Sequence, residues 1–275
     1  MPDFSENEVS MNDDIAREKW IGVPPMAFLQ EPSTGSDAKE FELKLRQLID
    51  AKYDRPAAPE NPFLALAEDR LSISKCREVF SGWWDSLMVF NRVLLPRLLE
   101  KAPSVAVRVE LMGVIAQEYG PYLEDAHPML LRDFLLSLGV PESSLRWDCN
   151  LEDGPAAEEA RMMRNASFVE LLARILVGES LGPVVFPMVA EGLSQSYNLS
   201  GRALAYFQIH AIADKKDAEL LFGMLRREAR TLADRQAVFD MVEKSFEQGR
   251  YKLYGCKLPR TTGYRYAPLF ERRAL

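Results

Sequence analysis

The 275-residue chain contains only two histidines, His127 and His210, and each sits among acidic residues in a stretch that reads as helix. In GRALAYFQIHAIADKKDAELLFGML, alternating steps of four and three residues put Ala203, Phe207, His210, Asp214, Asp217, Leu221 and Met224 on one helix face. The two ends of this stripe are apolar, as a buried stripe requires, but its centre is His, Asp, Asp. Carboxylates buried side by side are costly unless a cation neutralises them, which makes this face a candidate metal site. The bland alternatives are a partly wet face, or arginines paired with the aspartates. A second position of the same kind is Glu179, the single acid in the window LLARILVGESLGPVVFPMVA. An acid in such surroundings must be protonated, paired or coordinated. An Arg174–Glu179 ion pair is the structural alternative, across a five-residue spacing that suits a helix face poorly. Pro183 and Pro187 are expected to bend or interrupt this helix.

The third position is QEYGPYLEDAHPMLLRDF. His127 falls in the first turn of a helix, where the dipole disfavours imidazolium and leaves the neutral ring a metal needs. Two acids compete as its companion. Glu118 ends the preceding helix before a Gly-Pro break and can face back toward His127. Glu124 makes Glu-x-x-His, the spacing of ferritin-like di-iron bundles. A ferritin-like site uses that motif twice, and Phe207 stands three residues before His210, so that architecture is excluded. A mixture of carboxylates and imidazole suits iron or manganese better than structural zinc.

The elements that must position these residues are helical throughout. Amphipathic stretches run from Asp37 to Asp54, Ser72 to Lys101, Ser104 to Tyr119, His127 to Gly139, Ser167 to Ser194, Gly201 to Arg227 and Leu232 to Gln248. Alternating strand patterns with hairpin turns and fixed-period repeats are both lacking. The expectation is an all-α, single compact bundle of seven helices spanning residues 36–249. Residues 1–35 read as a flexible N-terminal arm, and residues 250–275 as a basic tail interleaved with Tyr251, Tyr254, Tyr264 and Tyr266. Such a tail lies more often on the protein's own acidic surface or on a partner than on nucleic acid.

Lys and Arg total 34 against 41 Asp and Glu, a net charge of −7, which argues against a generic nucleic-acid binder. The three cysteines, Cys76, Cys149 and Cys256, form no CxxC pair and read as reduced thiols. The acidic opening MPDFSENEVSMNDD is unlike a secretory signal, and no run reaches the ~18 uncharged apolar residues of a membrane helix. A cytoplasmic location with no membrane partner is expected.

The order of these positions resembles the heme-oxygenase-like di-iron oxidases, non-heme relatives of thiaminase II and the pyrroloquinoline quinone synthases. EYGPYLEDAHPMLLRDFLLSLGV is similar to their Glu-x-Gly turn and His-Pro-x-Leu helix, and YFQIHAIADKKDAELL to their last ligand helix. The likeness spans roughly residues 70–248. Carried over position by position, it implies Glu118, His127, Glu179, His210, Asp214 and Asp217 as metal ligands, with the Glu-x-Gly turn favouring Glu118 over Glu124. Asp217 stands where the family usually has histidine, which makes the site more anionic and bears on the second iron. The resemblance implies two Fe(II) per chain with O₂ as co-substrate and an external electron donor. It further implies a small carboxylate-bearing, amino-acid-derived substrate, oxidised by N-oxygenation or carbon–carbon cleavage in specialised metabolism, and a homodimer. Tyr206 and Phe207 are either pocket lining or ordinary core. Two alternatives are weighed beside it. One is a metal-free member of the same fold, although no cysteine matches the thiaminase nucleophile. The other is a non-enzymatic helical partner protein.

Overall fold

The computed structural model describes residues 35–53, 62–120, 126–153 and 156–248. The N-terminal arm, the basic tail with Cys256, and the linker that carries Glu124 lie outside the described residues. Within them every regular element is helical: α1 (Ser36–Tyr53), α2 (Pro62–Ala67), α3 (Ile73–Val89), a π turn (Phe90–Leu94), α4 (Leu95–Lys101), α5 (Val105–Tyr119), α6 (His127–Ser137), α7 (Ala157–Asn165), α8 (Phe168–Tyr197), α9 (Ala205–Glu228) and α10 (Leu232–Gln248). Because α3, the π turn and α4 form one continuous rod, the described residues hold eight helices of nine or more residues, one more than expected. The additional one is α7, drawn from a charged stretch that reads as linker. Its polar face is so dominant that only Ala160 and Met163 are buried.

The helix ends follow their capping residues. Ser72 and Ser104 accept from the backbone N–H three residues on, opening α3 and α5. Ser167 and Glu170 form a reciprocal capping box at the start of α8, with Ser167 N–H donating to the Glu170 carboxylate at 2.7 Å. Gly120, at φ 62°, closes α5 in a conformation that other residues avoid, so the chain turns directly after Glu118. Of the bend or interruption expected at Pro183 and Pro187, the interruption does not occur: α8 runs through both. Its length explains why: 30 residues packed against α9, α10, α2 and α4 hold it in place although two backbone donors are missing.

Beneath the site lies an aromatic cluster. Phe207 is fully buried and meets Phe80, Phe134 and Phe186 edge-on, with ring centroids 5.6, 4.8 and 5.6 Å away. Edge-to-face packing of this kind adds about 0.5–1.5 kcal/mol per pair beyond burial. It gives the floor on which α9 presents His210, one turn further on. No helix among the described residues is long and apolar enough to cross a membrane.

Candidate metal centre

Of the stripe expected here, Phe207, His210, Asp214, Asp217, Leu221 and Met224 are all buried on α9, while Ala203 precedes the helix and is half-buried. Glu179 comes from α8, the helix packed most closely on α9. Glu118 comes from the end of α5, and His127 from the first residue of α6. Nine polar or charged residues are buried among the described residues, and six of them are Glu118, His127, Glu179, His210, Asp214 and Asp217. The other three have ordinary explanations: Lys52 pairs with Glu243, Asn91 donates to the Leu87 carbonyl, and Ser245 donates to the Met241 carbonyl.

Three of the six form a tight group. One ligand atom each from Glu118, His127 and His210 lies within 4.8 Å of the others. His127 Nδ1 is 3.1 Å from Glu118 Oε2, and the two imidazole rings are 4.2 Å apart. His210 Nδ1 donates to the Tyr206 carbonyl at 2.7 Å, which leaves Nε2 with its lone pair. Burial, with the nearby His127, pushes the His210 imidazole down to about 4, so it is neutral at pH 7. Burial pushes Glu118 up, but the hydrogen bond and charge of His127 outweigh it, and Glu118 lies below the usual carboxylate range.

Glu179 and Asp214 form a second pair, joined by a hydrogen bond between their carboxyls. Burial, followed by the neighbouring acids Asp214, Glu118 and Asp217, raises Glu179 well above its ordinary value. Burial and the fields of Glu118 and Asp217 push Asp214 up to about 9. Asp217 is also raised, by burial and then by Glu118, while the Gln117 side chain donates to it and pulls the other way. Asp217 lies outside the tight three-residue group. Among the described residues no lysine or arginine forms an ion pair with Glu179, Asp214 or Asp217. The Arg174–Glu179 pairing is therefore not made, and Arg174 instead donates to Glu159 at 2.6 Å.

A cavity of 210 Å³ opens onto this centre. Glu118, Glu179, His210 and Asp214 line it, with Tyr206, Phe186, Trp83 and Arg174 among the other walls. Tyr206 is thus pocket lining, and Phe207 is core. A wider surface groove of 740 Å³ beside Arg92, Cys149 and Arg164 holds none of the six residues. Neither Cys76 nor Cys149 lines the cavity, and burial drives the Cys76 thiol up to about 12, far from a nucleophile's range.

Two contributors escape a reading of spacing alone. Gly182 stands one turn after Glu179, and a Cβ there would fall 1.9 Å from Asp214 Oδ2 and 2.7 Å from its Cγ. The bare backbone of α8 is a notch that receives the Asp214 carboxylate. A glycine one turn after Glu179 inside an apolar helix is the available signal. The π turn is the other: its first residue, Phe90, lines the cavity, and π turns are enriched at functional sites.

The donor set fits a cation. Two imidazoles and four carboxylates are buried on adjoining helices, and burial, followed by neighbouring acids, raises Glu179, Asp214 and Asp217, which favours their protonated forms. A divalent ion would replace those protons and remove the burial penalty. A family model described as iron-containing redox enzyme matches residues 90–249, a span that includes all six residues. No curated protein matches the chain. With more than half of the chain covered by that match, the chain belongs to the heme-oxygenase-like family of iron-containing redox enzymes.

Proposed function

We propose that the chain is a non-heme di-iron oxygenase or oxidase that uses O₂ to oxidise a small carboxylate-bearing, amino-acid-derived substrate. Glu118, His127, Glu179, His210, Asp214 and Asp217 are its metal ligands. The observation that carries this reading is the grouping of these six side chains: they make up two thirds of the buried polar residues described, and among the described residues no lysine or arginine forms an ion pair with Glu179, Asp214 or Asp217. Glu118, His127 and His210 would hold one iron, and Glu179, Asp214 and Asp217 would complete the second position. When bound, the irons supply the redox capacity to activate O₂, which no side chain here provides.

The chain's own residues set the conditions for that chemistry. The Tyr206 carbonyl fixes the His210 tautomer, and the His127–Glu118 hydrogen bond orients both groups before metal arrives. The aromatic floor around Phe207 excludes water from below. Burial raises Glu179 and Asp214, so binding of a cation there would be favoured by loss of their protons. The small cavity admits a compact substrate beside the ligands, below the 300–1,000 Å³ typical of drug-sized pockets. The reading covers N-oxygenation or oxidative carbon–carbon cleavage in specialised metabolism, a cytoplasmic homodimer, and an external electron donor.

The test is anaerobic Fe(II) titration of metal-free protein, with His127→Ala and Asp217→Ala alongside, followed by O₂ addition under absorbance. Two irons per chain in the wild type, with loss on His127→Ala, are expected. A folded protein that takes up no iron overturns the proposal.

A further inference from the structure

Among the described residues, the cavity wall carries one lysine or arginine side chain. Arg174 lies five residues before Glu179 on α8, and it is the only lysine or arginine among the residues lining a space otherwise dominated by Glu118, Glu179 and Asp214. Its side chain is 25% exposed, and it is held by the Glu159 carboxylate of α7, itself 23% exposed. The geometry around that carboxylate is specific. Arg174 Nη2 donates to Glu159 Oε1 at 2.6 Å, while Ser86 Oγ, from α3, donates to Glu159 Oε2 at 3.1 Å. Each oxygen of one carboxylate therefore has its own donor. Ser86 and Arg174 both line the cavity, and Glu159 does not. The pair of donors belongs to the cavity, and the carboxylate bound to them comes from outside it.

We propose that Arg174 and Ser86 are the anchor for the substrate's carboxylate, and that Glu159 is a resident carboxylate that competes for them. The inference rests on the proposed function and assigns the residues that would select its substrate. A guanidinium has five N–H donors in a planar fork, and Glu159 takes one of them, so most of the group's capacity remains for a ligand. A single carboxylate suits the site better than a phosphate. One guanidinium and one hydroxyl match two oxygens, and a dianion would be repelled by Glu118 and its neighbours. Placement along the helix sets the substrate's length. Five residues of helix advance about 7.5 Å along its axis from Arg174 to Glu179. A carboxylate held at the anchor thus presents atoms a few bonds away to the metal ligands, the reach of an amino-acid-sized molecule in a 210 Å³ cavity.

The experiment is equilibrium binding to the Fe(II)-loaded protein under argon. The probes are straight-chain monocarboxylates from propanoate to octanoate and the common L-amino acids, each paired with its primary amide. Iron per chain is measured on every sample. The wild type is expected to prefer at least one carboxylate over its amide by about tenfold or more, the range of a charge-assisted hydrogen bond. Arg174→Gln abolishes that preference while keeping its iron, Arg174→Lys restores part of it, and Glu159→Gln strengthens it by freeing the anchor. Carboxylate preference unchanged in Arg174→Gln overturns the proposal, because the carboxylate would then be binding elsewhere, at the metals for instance. A wild type that binds no probe better than its amide, or Glu159→Gln binding more weakly, also overturns it. Loss of iron from the wild type would count against the di-iron reading and is seen separately in the metal count.

Discussion

Replacing Gly182 by alanine tests whether the fit between α8 and α9 belongs to the metal centre. The new Cβ would sit 1.9 Å from Asp214 Oδ2, where ordinary contact begins at 3.4 Å. About 1.5 Å must therefore be found by moving a buried carboxylate or parting two helices. Asp214 cannot swing into solvent cheaply, since it is 3% exposed. Overpacking of this severity costs about 1–3 kcal/mol. Alanine's better helix propensity returns up to about 1 kcal/mol, so the metal-free variant should lose about 0–2 kcal/mol. The effect on metal should be larger in proportion. Displacing a ligand by more than an ångström weakens iron by about 10–100-fold at the position Asp214 serves. Gly223→Ala on α9 is the control, because a Cβ there meets nothing within 4 Å. It should be neutral or stabilising and bind iron as the wild type does. Urea unfolding of the metal-free proteins and Fe(II) titration under argon give both readouts. If Gly182→Ala matches Gly223→Ala in stability and in iron binding, the notch has no role and the reasoning fails.

Four further outcomes are expected. Metal loading at pH 7 should release protons, measurable by calorimetry in buffers of different ionisation enthalpy, since Asp214 is pushed up to about 9 and Glu179 is raised well above its ordinary value. The metal-free protein should lose stability as pH rises from about 6.5 to 9. Asp214, raised from its ordinary value to about 9, stabilises the fold fully below its unfolded value and loses that contribution as pH rises through its folded one. His210, lowered to about 4, works in the opposite sense between there and its ordinary 6.5 and offsets part of the decline, which Glu179 and Asp217, both raised, share with Asp214, and denaturation across a pH series will show it. Phe207→Ala should cost about 3–5 kcal/mol in thermal or chemical unfolding, because its ring is fully buried against three others. Ser167→Ala should cost about 1 kcal/mol by removing the capping box of α8, with iron stoichiometry unchanged.

The face of α9 was legible because a helix repeats its side-chain directions, and His, Asp and Asp in the middle of an apolar stripe conflict with burial unless something neutralises them. Glu179 stood out for the same reason. What spacing does not encode is which helices meet. That Arg174 turns away from Glu179 to Glu159 depends on α7, and α7 escaped notice because its nine residues bury only two side chains. The continuity of α8 through its prolines has a related cause. A missing N–H weakens an isolated helix, but α8 is held by neighbours on several sides and carries Pro183 and Pro187 in stride. Glu118 was preferred over Glu124 through the resemblance, and the 3.1 Å contact to His127 gives that choice a physical partner.

The notch at Gly182 also acts as a ruler. An aspartate at position 214 reaches just far enough to seat its carboxylate against bare backbone, and a glutamate, one methylene longer, would overrun it. The acid's length and the absence of a side chain opposite form a matched pair, written 32 positions apart as Glu-x-x-Gly and His-x-x-x-Asp. In any chain built on this plan the two should change together. A search that demands both halves would pick out proteins with this particular closeness of helices, where a search for ligand letters alone would gather many that merely share the metal.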